Sequence, residues 1–183
     1  MDVSDKRAVV LGRTSGIGLA RSKLFCVRGS KVVAVSRSAD RPDDHDGIAL
    51  RKFDVRDEAA LAIIFAAEAP FDTLVSSAAG GVRAFGPFVE MDIQGHRSSC
   101  DKLWGYAGVV RFGAPHLSAT GVIDLVIGAT AHRMKPRHIA LSSVGEEVEA
   151  FSRSSRGAGA ETYRRGFARA NRYANAWLRG RTS

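Results

Sequence analysis

The stretch "AVVLGRTSGIGLARSKLF" (Ala8–Phe25) decides how this chain is read. An apolar run, "RAVVLG" (7–12), stops at a glycine as a buried parallel strand does. A loop of small residues follows. "SGIGLARSKLFCVRG" (15–29) then predicts a helix that Gly29 ends. Ile17, Ala20, Leu24 and Val27, spaced by three and four, are its expected buried face. Gly12, Gly16 and Gly18 stand as G-x-x-x-G-x-G between the two elements. Without side chains there, a phosphate can approach the backbone, and a helix start offers it unpaired N–H groups and partial positive charge.

Working outward, the same alternation continues. Strands are predicted at 31–37 ("KVVAVSR"), 48–55 ("IALRKFDV"), 72–79 ("DTLVSSAA") and 121–128 ("GVIDLVIG"). Helices are predicted at 57–69, from Ser98 to Leu117, and at 142–155. Strand alternating with helix argues for an α/β, Rossmann-like, doubly wound parallel sheet in three layers, with right-handed crossovers.

The 183 residues suffice for one domain with a real core, at an ordinary apolar content of 45%. The net charge of +8 is unevenly placed. Residues 152–183 carry eight arginines and one acid, Glu161, so almost all of the excess belongs to that segment. The expected division is a dinucleotide-binding domain at 1–151 and an arginine-rich helical segment at 152–183. The amino end lacks the long apolar stretch of a secretory signal or membrane span. Two distant cysteines, Cys26 and Cys100, fit a reducing compartment, so a cytoplasmic location is expected.

Arg37 follows the second predicted strand, where the adenosine ribose lies in a doubly wound fold, and Arg13 sits inside the glycine loop. An acid after that strand would take a ribose 2′-hydroxyl; two cations suit a 2′-phosphate. The loop therefore points to NADP(H) over NAD(H).

At this point the chain resembles the short-chain dehydrogenase/reductase family over about residues 5–150. The motifs that carry the resemblance are "GRTSGIG" (12–18), "FDVRD" (53–57), "DTLVSSAAG" (72–80) and "DKLWGYAGVVRFGAPHLSATGVIDLVIG" (101–128). The resemblance implies a nicotinamide cofactor and hydride transfer to or from a small carbonyl or alcohol. By position it implies phosphate contacts from Gly12, Arg13, Ser15, Gly16, Ile17 and Gly18. Ser36 and Arg37 go to the 2′-phosphate, Asp54 and Val55 to the adenine, and Ser76, Ser77 and Ala78 to the ribose region. Measured against the family, the sheet is expected to lack the last strands and to expose an apolar edge and face, for which the aromatic side of residues 163–178 and a second copy of the chain are the two candidate covers.

The family's reacting groups do not follow. Its tyrosine, whose pKa a lysine four residues on lowers, matches Leu141, and that lysine matches Gly145. Its serine matches Ile127 and its asparagine matches Lys102, a replacement cation if it faces the site. No Tyr-x-x-x-Lys occurs in the chain. An alternative takes "HIALSSVGE" (138–146) as a strand ending in a polarising Ser143, with Tyr163 or Tyr173 as proton donor. The chain thus reads either as an oxidoreductase or as an NADP(H)-binding relative without turnover.

Nucleic-acid binding is a third reading. Arginines interleave with Tyr163, Phe167, Tyr173 and Trp177 in the last segment. A solvated basic helix face with its aromatic side packed down is the preferred account, so neither a nucleic-acid nor a membrane partner is expected. The five histidines lack metal-ligand spacing, and no metal is expected.

Overall fold

The structure is a computed structural model, and it describes residues 3–12, 16–37, 47–78, 84–128 and 136–155. Five parallel strands form one sheet: β1 (Arg7–Leu11), β2 (Lys31–Ser36), β3 (Ile48–Lys52), β4 (Phe71–Ser76) and β5 (Leu117–Leu125). Their order is β3-β2-β1-β4-β5. Among the described residues four α-helices connect or follow them: α1 (Gly16–Val27), α2 (Glu58–Glu68), α3 (Ile93–Gly113) and α4 (Ile139–Ser154). The doubly wound α/β class expected from the sequence is the one observed.

Two cores flank the sheet. On one face Val9, Leu11, Val33, Val35 and Ile123 pack against Leu61 and Phe65 of α2, Tyr106 and Val109 of α3, and Val144 and Val148 of α4. On the other, Val10, Val32, Val75 and Val126 meet Ile17, Phe25 and Cys26 of α1. Near-continuous β-branched strands fit burial on both faces. α2 and α3 start where aspartates accept their first-turn amides: Asp57 from Ala60 N at 3.0 Å, and Asp92 from Gln94 N and Gly95 N at 3.1 and 3.0 Å.

Several expectations are corrected. The buried face of α1 is not Ile17-Ala20-Leu24-Val27. Ala20 is exposed, Leu24 is 40% exposed and Val27 is 85% exposed. The side turned to the sheet is Gly18 and Ser22, with Ile17, Phe25 and Cys26 beside them. Small residues let the helix sit close to β1; a Cβ on Gly18 would lie 2.2 Å from the Gly12 carbonyl oxygen. Ser22 is fully buried because its Oγ donates to the Gly18 carbonyl at 3.0 Å.

α3 begins at Ile93, five residues before the expected start, because Asp92 caps it. β5 begins at Leu117 rather than 121 and ends at Leu125. Its polar first residues are held across the sheet, where Ser118 Oγ donates to Asp72 Oδ1 at 2.8 Å and the β4 register shifts between Phe71 and Thr73. β3 ends at Lys52, three residues short of the expected end.

Residues 138–146 do not form a strand. They are the start of α4, where Leu141 N and Ser142 N donate to the His138 carbonyl. α4 runs across the boundary placed at 151 to Ser154. The rest of the arginine-rich segment, including Tyr163, Phe167, Tyr173 and Trp177, lies outside the described residues. Among the described residues no helix is long and apolar enough to cross a membrane.

Candidate functional site

The chain steps outward from β1 through β2 to β3, then returns to place β4 on the other side of β1. The connections leaving the carboxyl ends of β1 and β4 therefore go to opposite faces of the sheet, to α1 and α3, and the crevice between such connections is the place where open α/β sheets take ligands. The site residues expected from the sequence gather along this edge. Gly12 follows β1; Gly16, Ile17 and Gly18 open α1; Ser36 ends β2 and Arg37 follows it. Asp54 and Val55 follow β3, Ser76 ends β4, and Ser77 and Ala78 follow it. Arg13 and Ser15 lie outside the described residues.

The floor of the crevice is interlocked. Gly12 N donates to the Val35 carbonyl at 2.9 Å, while Ser77 N and Ala78 N both donate to the Leu11 carbonyl, at 2.9 and 3.2 Å. Ser77 Oγ lies 3.0 Å from the carbonyl oxygens of Leu11 and Gly12. Gly12 has φ +89°, and a Cβ there would stand 2.5 Å from Ala78 N. The positive φ and the close approach both require glycine. Gly12 and Gly18 thus make room for neighbouring backbone. The first turn of α1 contains no acid, so none of its own side chains places a carboxylate against its amides.

The β2–β3 side carries charge. Arg37 is exposed beside Ser36, which is buried. Asp54 is held by Arg56, a residue to which the sequence reading gave no role. Arg56 Nε lies 3.1 Å from both carboxylate oxygens and Nη2 lies 2.6 Å from Oδ2, while the Arg56 backbone N donates to Oδ1 at 3.0 Å. The side-chain bonds from Arg56 hold the Asp54 carboxyl down to about 2, against a partial desolvation that raises it, and Arg37 adds to the lowering. Only the spacing of the aspartate and arginine in "FDVRD" hinted at the clamp.

A carboxyl pKa depressed on folding stabilises the fold above its ordinary value and ceases to do so as it protonates. The Asp54 contribution is therefore complete above pH 3.8 and fades as the pH falls towards about 2. Carbon-detected NMR should find the Asp54 carboxyl still ionised at pH 3 in the native chain. In Arg56→Ala its midpoint should climb back towards 3.8. An unmoved midpoint would refute the clamp.

The β5 side and α4 hold the positions that match the family's reacting groups. Tyr106 is the one tyrosine among the described residues, and it is fully buried with its OH donating to the Val126 carbonyl at 2.5 Å. Burial, reinforced by the charge of Asp124, pushes its phenol far up. Its OH is spent on that carbonyl and is not exposed to solvent. Ile127 packs against the core. Leu141 and Gly145 lie in the first two turns of α4, where neither offers a proton. Ser143 is not at a strand end: its Oγ donates back within α4, 2.9 Å from the Ile139 carbonyl. Lys102 lies one turn before Tyr106, its Nζ 5.5 Å from the ring centroid.

No protein-family model matches the chain, and no curated protein does. Solved structures do. A short-chain dehydrogenase/reductase family protein is 23% identical with a TM-score of 0.75, over 90% of this chain and 73% of its own. A short-chain dehydrogenase from Burkholderia cenocepacia, solved in complex with NADP, is 20% identical with a TM-score of 0.79, over 90% of this chain and 71% of its own. A small-chain dehydrogenase is 20% identical with a TM-score of 0.68, over 98% of this chain and 91% of its own. The fold is therefore that of the short-chain dehydrogenases/reductases.

Proposed function

We propose that this chain is a divergent short-chain dehydrogenase/reductase that binds NADP(H) across the β1–β4 crevice and exchanges hydride with a small carbonyl or alcohol. The observation that carries the reading is the first turn of α1, free of acids and set over the interlocked Gly12–Ala78 floor. The residues fit the cofactor. Pyrophosphate would meet the amides of Gly16, Ile17 and Gly18. Arg37 would meet a 2′-phosphate, and Ser77 and Ala78 would line the ribose. Arg13 and Ser15 remain part of the proposed phosphate loop, and Asp54 and Val55 part of the adenine side. The cofactor supplies the hydride; the chain binds and orients it. That the Burkholderia cenocepacia structure holds NADP supports this choice.

A second reading has its own support. Tyr106 is locked to a backbone carbonyl, and the positions matching the family's tyrosine, lysine and serine are Leu141, Gly145 and Ile127. The same site then binds NADP(H) without turnover.

Titration calorimetry with NADPH and NADH tests the shared claim. NADPH should bind more tightly. Arg37→Asp should weaken NADPH about tenfold or more, the loss of one charge-assisted contact, and leave NADH little changed. Equal affinities in both proteins would remove the assignment of Arg37. NADPH consumption across a carbonyl panel then separates the two readings.

A further inference from the structure

Arg37 and Asp54 leave neighbouring strands at the same end. Ser36, the last residue of β2, is paired in register with Lys52, the last of β3. Arg37 lies one residue past that pair and Asp54 two residues past it. The Asp54 carboxyl feels the charge of Arg37 as well as that of Arg56. Left to itself, Asp54 would oppose the cofactor choice proposed above. A carboxylate beside the adenosine ribose suits a 2′-hydroxyl. It repels a 2′-phosphate, and it offsets the field of the arginine that would meet one.

Arg56 removes that opposition. Its Nη2 lies 2.6 Å from Asp54 Oδ2 and its Nε lies 3.1 Å from each carboxylate oxygen, so one guanidinium engages both oxygens. The Arg56 backbone N also donates to Oδ1, at 3.0 Å, which fixes the carboxylate on the turn after β3. Asp101 of α3 draws on Arg56 as well, without a hydrogen bond. The Asp54 and Arg56 side chains are 31% and 56% exposed, so the pair borders the solvent from which a nucleotide arrives. A surface ion pair is a weak brace for a fold. Its effect here falls on the charge that the ends of β2 and β3 present. We infer that Arg56 is a specificity-determining residue for the 2′-phosphate, acting by neutralising Asp54 so that the charge of Arg37 is left unopposed. Arg56 works through Asp54 rather than by touching the nucleotide, which makes it a positioning residue. The inference rests on the NADP(H) reading and deepens it.

Calorimetry on the full chain tests it with NADPH and NADH, which differ only in the 2′-phosphate. At about 0.1 M salt, charges less than about 10 Å apart still act on one another. Arg56→Gln should weaken NADPH by about fivefold and leave NADH within about twofold. The loss should shrink as salt is raised. Arg56→Lys, which keeps the charge, should recover part of it. Arg56→Gln combined with Asp54→Asn should bring NADPH back to within about twofold of the native chain, because no acid is left to be neutralised. The inference is overturned if Arg56→Gln leaves NADPH unchanged, or weakens both dinucleotides equally. It is overturned too if the double variant binds NADPH as poorly as Arg56→Gln alone, since Arg56 would then act on the phosphate directly. A native chain that binds NADPH no better than NADH overturns the 2′-phosphate reading itself, and this inference with it. A native preference for NADPH upholds that reading and leaves the Arg56 variants to decide.

Discussion

Gly12→Ala is expected to lower the unfolding free energy by about 2–5 kcal/mol and to abolish NADPH binding in the calorimeter. The first part of the figure is a backbone penalty, since an L side chain in a left-handed conformation costs about 1–2 kcal/mol. Gly12 sits at φ +89°. The second is overpacking, about 1–3 kcal/mol, because the new Cβ would lie 2.5 Å from Ala78 N and 2.8 Å from Ala78 Cα. Backbone atoms cannot swing aside as a side-chain tip can. Either β1 and β4 separate at their ends or the turn before α1 is rebuilt, and both move the first turn of α1 away from its seat. Urea unfolding gives the test through a lowered midpoint at unchanged slope. A midpoint within experimental error of the native chain would mean that the turn is not the fixed point described above.

Arg21→Met is expected to destabilise the chain by about 2–4 kcal/mol, because it strands a carboxylate with little access to water. Arg21 on α1 pairs with Asp124 on β5, and their side chains are only 20% and 15% exposed. Asp124 Oδ1 is buried without a hydrogen-bond partner, so the contact with Arg21 through Oδ2 carries the compensation for that charge. Breaking such a pair usually costs more than the pair contributes, since one ion stays behind. The double variant Arg21→Met with Asp124→Leu should therefore be more stable than Arg21→Met alone, and a double-mutant cycle measures the difference. A double variant as unstable as the sum of its two parts would show that the residues act independently.

How much of this was legible in the sequence depends on which contacts a pattern records. The strands were legible because their β-branched runs are buried on both faces. The crevice residues were legible because glycines at a strand–helix turn have a narrow set of uses. The contact face of α1 was not: Gly18 and Ser22 face the sheet because they are small, and an apolar periodicity looks for the large residues that here face solvent. The start of β5 was hidden because Leu117–Thr120 is paired by a serine–aspartate contact to a residue 46 positions away. Asp92 is a readable cap for α3, but the polar "QGHRSS" (94–99) behind it carries no apolar periodicity to mark the first turns. Arg56 carries little signal in the sequence, because its clamp on Asp54 exists only once the turn after β3 folds it back. Tyr106 could be placed on a helix from spacing, but that it is spent on the Val126 carbonyl could not.

The ties between Leu11–Gly12 and Ser77–Ala78 have one more consequence, in the rate at which amide protons exchange. The N–H groups of Gly12, Ser77 and Ala78 lie outside the strands, where exchange is ordinarily fast, yet each is donated to the carbonyl of a fully buried strand residue, Val35 or Leu11. They become accessible only when that part of the sheet opens, so they belong with the slowest protons of the molecule. A ligand arriving at the crevice meets a rigid base rather than a loop it must first order, and little of its affinity is lost to setting that base in place.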